Sequence, residues 1–132
     1  MAALLASCSG ESQPVPGDVP AFDGIAEDET ITALGTEPFW SAKIAGSVMT
    51  YSTPDNIDGT AIEVSRFAGN GGLGFSGTLN GEALLMAVTP GDCSDQMSDR
   101  TYPFTVTFNI GEAQLVGCAY TDRQPFAGEE NP

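Results

Sequence analysis

Asn80-Gly81 stands between two runs of strand-forming residues, Phe75 to Leu79 and Glu82 to Thr89. Both turn residues tolerate positive φ, as a two-residue hairpin turn requires, so the pair predicts a tight antiparallel hairpin. The rest of the chain is punctuated the same way, in runs of five to nine residues closed by Gly, Pro or Asp. Trp40, Ala42 and Ile44 alternate with Ser41 and Lys43 up to a turn at Gly46, and Val48 to Ser52 answers as the partner strand. Ala61 to Phe67 reads as one strand after a loop over 53–59. Phe104, Val106, Phe108 and Ile110 alternate with Thr105, Thr107 and Asn109, so one face is buried and the other wet. Leu115 to Tyr120 returns after Gly111-Glu112. With Thr30 to Leu34 this predicts an all-β fold of seven or eight antiparallel strands. Closure into a small barrel or a tight sandwich is the economical way to hide the edges. One short helical turn is expected over Asp95–Asp99, capped by Ser94.

Charge narrows the function classes. The chain of 132 residues carries eighteen acidic residues against Lys43, Arg66, Arg100 and Arg123, a formal charge of −14. Nucleic acid and anionic membrane surfaces are electrostatically disfavoured as partners, and a cationic partner is favoured. Histidine is absent. That removes the usual neutral-pH general base, the Ser-His and Cys-His nucleophile pairs and every histidine-containing metal site. The sequence therefore points to a protein that is not an enzyme and uses no cofactor.

The first eight residues, M-A-A-L-L-A-S-C, resemble the end of a bacterial lipoprotein signal, in which a leucine and two small residues precede the cysteine that is acylated. The resemblance implies lipidation at Cys8, attachment to the lipid bilayer, and a leader that begins further upstream, because no basic segment precedes the apolar run. Ser9, by similarity to enteric lipoproteins, favours the outer membrane on its periplasmic side. Residues 9–30 hold three prolines, six carboxylates and no basic residue. They read as a disordered acidic tether, 31–120 as the β domain and 121–132 as a disordered tail. With Cys8 lipidated, Cys93 and Cys118 remain and are expected to form a disulfide in the oxidising envelope. Two free thiols in a cytosolic protein are the alternative.

Several patterns carry less than they suggest. Residues 72–77, G-L-G-F-S-G, match a dinucleotide-loop spacing, but no helix follows and no βαβ unit surrounds them. Residues 56–59 echo a calcium loop, yet the required first and twelfth ligand positions fall on Pro54 and Ser65. Asp92, Asp95 and Asp99 are expected to cap a turn and pair with Arg100 rather than hold a metal. Trp40, the sole tryptophan, has two readings: a core residue closing one barrel end, or a contact surface beside the Cys93 loop.

The blocks G-T-E-P-F-W at 35–40, C-S-D-Q-M-S-D-R-T-Y-P-F at 93–104 and G-C-A at 117–119 resemble a group of small, functionally uncharacterised bacterial envelope lipoproteins. In size, lipid anchor, β body and a disulfide reaching the last strand, the chain is more distantly similar to the membrane-bound inhibitors of c-type lysozyme. These resemblances imply a lipid-anchored binding module, with lysozyme inhibition or a structural role in the envelope as alternatives. The expected binding surface is the 92–100 loop with Trp40, comprising Trp40, Asp95, Met97, Ser98, Asp99 and Arg100. Ser94 or Ser98, with Arg100, would then enter a lysozyme cleft.

Overall fold

In a computed structural model, residues 22–36, 38–94 and 99–128 are described. They form nine antiparallel strands: β1 (Ile31–Thr36), β2 (Phe39–Ala45), β3 (Val48–Thr53), β4 (Asn56–Glu63), β5 (Ser65–Ala68), β6 (Leu73–Leu79), β7 (Glu82–Ser94), β8 (Thr101–Ile110) and β9 (Ala113–Thr121). All nine belong to one sheet of order β4-β3-β2-β1-β9-β8-β7-β6-β5, curled into a nearly closed barrel. The Asn80-Gly81 turn has φ of 53° and 83°, so the hairpin between β6 and β7 is the one its sequence demands.

Strand number exceeds the expectation at one place. Ala61 to Phe67, read as one strand, divides at Val64: β4 pairs with β3, whereas β5 pairs with β6. Val64 is the corner, buried, with its N–H donating to the carbonyl of Ser47 at 2.9 Å. The chain thus changes partner without a turn, which no local turn signal could announce. β4 also begins at Asn56, inside the stretch read as a loop. The expected helical turn falls on residues 95–98, outside the described residues. Ser94, expected to cap it, is instead a strand residue paired with Thr101, because β7 continues past the Pro90-Gly91 signal that was read as its end.

The interior is apolar and period-two. Phe104, Val106 and Phe108 of β8 and Leu84, Met86 and Val88 of β7 are buried, whereas their intervening neighbours face outward. At one end the barrel is filled by Trp40, whose ring centroid lies 5.2 Å from Phe108, with Tyr51 edge-on to Phe108 at 5.5 Å. At the other end Ile25, 1% exposed, joins the core from outside the sheet.

The packed body therefore extends beyond the 31–120 read from sequence. Arg66 donates to the carbonyls of Ile25 and Ala26 at 2.5 and 3.4 Å and holds the arm at 22–30 across the barrel mouth. The arm is then joined to the segment after β9. Gln124 donates from its side chain to Gly24 O at 2.7 Å, the backbone of Asp122 bonds to Thr30 O at 3.2 Å, and Arg123 pairs with Asp28 at 2.8 Å. Prolines and carboxylates made both segments read as disordered. Their few apolar residues, Phe22, Ile25 and Phe126, are the ones that pack.

Candidate binding surface

Past Pro90 the β7–β8 ladder changes register, and the two strands continue as a short arm in which Cys93 faces Tyr102 and Ser94 faces Thr101. The arm does not stay in the plane of the sheet. Cys93 is bonded to Cys118 of β9 with the Cα atoms 5.6 Å apart, although β8 lies between those two strands. Two strand spacings would separate them by roughly 9.5 Å in a regular sheet, so the arm folds over β8 to reach β9. Ala119 points into the core, hence its neighbour Cys118 points outward, and the staple lies on the outer wall.

A second, smaller apolar cluster forms under this arm. Tyr102 is 1% exposed yet stands apart from the barrel interior. Its ring lies 6.0 Å from Tyr120 and 5.5 Å from Phe126, and Tyr120 and Phe126 meet edge-on at 5.3 Å. The Arg100 guanidinium sits 4.4 Å from the Phe126 centroid, a distance suited to cation–π attraction. Thr101 and Ala127 exchange two backbone hydrogen bonds of 2.8 Å, adding the C-terminal segment as a further rung. The arm is held at three places: a disulfide, an aromatic cluster and a two-bond bridge.

The expected residues are placed as follows. Cys93 and Cys118 form the disulfide. Asp99 is exposed and Arg100 half-buried at the base of the arm, whereas Asp95, Met97 and Ser98 lie outside the described residues. Trp40 is corrected: it is 4% exposed and is not a contact surface. The indole packs where β1 and β9 carry glycine. A Cβ at Gly35 would fall 2.0 Å from its Nε1, and one at Gly117 would fall 3.0 Å from its Cζ2. These close approaches explain the glycines of the G-T-E-P-F-W and G-C-A blocks. Gly117 also joins the two regions, because its carbonyl oxygen lies 3.4 Å from the Cys93 sulfur, which carries no proton once bridged.

Tyr102, Tyr120 and Phe126 escaped the sequence reading. Tyr120 stands at an outward position of β9, where an aromatic residue needs a cover, and that was the available signal. Glu29 also escaped it. Burial by itself would raise the Glu29 carboxyl, but hydrogen bonds from Thr121, Ala26 and Gln124, with the nearby Arg123 cation, hold it below its ordinary value. On the exposed side of the same junction, the Arg123 hydrogen bond and charge lower the Asp28 carboxyl.

A cleft of about 540 Å³ opens beside the arm at 22–30, lined by Phe22, Arg66 and Phe67 among others. The chain matches no protein-family model, no curated protein and no solved structure.

Proposed function

We propose that this is an exported envelope protein, anchored in the bilayer through acylated Cys8, that acts as a non-enzymatic binding module. The 92–100 arm is its binding surface and a cationic protein its partner. The observation that carries the reading is the three-point attachment of the arm to the outer wall. A polar segment whose flanking stems are fixed before encounter loses less conformational freedom on binding, so more of its contact energy appears as affinity. The charge of −14 supplies long-range attraction to a basic partner. Acylation accounts for the third cysteine, and Ser9 fits retention at the periplasmic side of the outer membrane.

Charge also favours a specific second reading, inhibition of c-type lysozyme, a cationic enzyme. Residues at 95–98, with Asp99, would contact it, and Arg100 would act by holding the arm through Phe126. The test is hen-type lysozyme turnover with the purified protein, alongside direct binding by calorimetry. Inhibition that weakens with salt and disappears in an Asp95→Ala/Met97→Ala/Ser98→Ala variant of unchanged melting temperature is the expected result. Binding without inhibition would retain the module and discard the inhibitor. If neither occurs with lysozyme or other basic envelope proteins, a structural role in the envelope takes precedence. Labelled palmitate incorporated by the protein with its full upstream region, and lost in Cys8→Ser, checks the anchor separately.

A further inference from the structure

We propose that Asn70 is a site of spontaneous deamidation whose product loosens the arm at 22–30, and that Asn80, in the same dipeptide, is protected from the reaction by the fold. The sequence holds two Asn-Gly pairs, Asn70-Gly71 and Asn80-Gly81. All four residues are exposed, and each pair joins strands in register, Ala68 facing Leu73 and Leu79 facing Glu82. Asparagine before glycine sets an electrophile beside an unshielded nucleophile. The glycine amide nitrogen, on giving up its proton, attacks the asparagine side-chain carbonyl carbon Cγ, and no Cβ on the glycine obstructs it. Ammonia leaves and a cyclic succinimide remains. Water then opens the ring at either carbonyl, giving aspartate or isoaspartate, so water is consumed, ammonia is released and nothing is oxidised or reduced.

The two pairs differ in backbone. Asn80 and Gly81 have φ of 53° and 83°, the left-handed geometry of a two-residue turn, and the Leu79–Glu82 rung closes that turn. Bringing the Gly81 nitrogen onto Cγ requires the Asn80 peptide to rotate out of this geometry, which opens the end of the hairpin first. Neither Asn70 nor Gly71 is in the left-handed region. The carbonyl that would close a tight turn there is that of Gly69, and it accepts from the Phe22 N–H of the arm at 2.7 Å. Gly69 N–H still donates to Gly72 O at 2.9 Å, but Asn70 and Gly71 are left as an open loop, in which a Cβ on Gly71 would meet nothing within 4 Å. The Asn70 peptide can therefore rotate without breaking a rung. The effect also runs from the loop to the arm. Isoaspartate carries the main chain through the former side chain and adds a methylene between Gly69 and Gly72. Either product places a carboxylate one residue from Gly69, whose partner Phe22 is followed by Asp23. Both changes weaken the seat of Phe22.

Peptide mapping by mass spectrometry of the full chain, incubated folded at mildly alkaline pH, tests this. Asn70 should deamidate at least about tenfold faster than Asn80, the protection expected where reaction waits on local opening. In urea the two rates should come within about threefold of each other, because the fold is what separates them. Gly71→Ala, whose methyl group meets no neighbour, should suppress the reaction at Asn70 without disturbing the barrel. The isoaspartyl form, separated from fresh protein, should exchange its Phe22 amide hydrogen faster, with Thr101 and Tyr102 unchanged. Equal rates at Asn70 and Asn80 in the folded chain, or a gap that persists in urea, would overturn the assignment. Phe22 exchange unaltered by isoaspartate would overturn the link to the arm.

Discussion

Glu29 accepts hydrogen bonds from Ala26 N–H at 2.6 Å, Thr121 Oγ1 at 2.5 Å and Gln124 Nε2 at 3.0 Å, and it is 6% exposed. One carboxylate therefore ties residues that precede β1 to residues at and beyond the end of β9. A carboxyl held below its ordinary value of about 4.5 stabilises the fold at any pH above that value. The contribution is lost as pH falls through the lower, folded-state value, because the unfolded chain takes up the proton first. Glu29→Gln should cost about 1–3 kcal/mol at neutral pH, since the amide presents a donor where only acceptors are wanted. Urea unfolding from pH 7 down to pH 3 should show the gap between the two proteins closing below about pH 5. Parallel curves would mean that the carboxyl is not linked to folding. Nothing in the sequence marks Glu29 off from Glu27 and Asp28. What sets it apart is its contact with Thr121 and Gln124, more than ninety residues away in the chain, which no local pattern encodes.

At the scale of elements, residues 91–94 and 99–103 lie over the barrel wall and are held there by the disulfide, the Tyr102–Tyr120–Phe126 cluster and the Thr101–Ala127 bridge. A Cys93→Ser/Cys118→Ser variant is expected to lose about 2–4 kcal/mol. Hydrogen exchange should quicken at Thr101 and Tyr102 while the amides of β2 and β3 keep their protection. Uniform loss of protection would show that the staple supports the barrel and not the arm alone. The hairpins were legible because Asn80-Gly81 and the alternation of 104–110 report local geometry directly. The arm was half legible: its cysteines stood out, but Pro90-Gly91-Asp92 reads as a terminator and is instead the register shift where two strands leave the sheet. β4 hid for a related reason, since Asn56, Asp58 and Gly59 are turn-forming residues serving in an edge strand. Gly59, at φ 86°, supplies an irregularity of the kind that discourages pairing with a stranger. Trp40 was legible as a core residue, and burial decides between its two readings.

For the whole molecule, every strand pairs with its neighbours in the chain except β4 with β5, and β1 also pairs with β9, Ile31 opposite Thr121. The break in pairing falls between β4 and β5, where the polypeptide is continuous through Val64. Phe22 is tied to Gly69 and Gly128 lies beside Asp99, so joining residues 22 and 128 by a flexible linker long enough to cross the barrel mouth, and reopening the chain at Asn80-Gly81, should give a circular permutant that keeps the barrel and its disulfide. Circular dichroism and thiol titration would check this, and an unfolded permutant alongside a tolerated insertion at the same turn would count against it. The pairing of first strand with last also ties folding to synthesis. Until β9 has emerged, β1 lacks one of its two partners and the arm lacks Cys118, so a growing or partly threaded chain can form hairpins but cannot close.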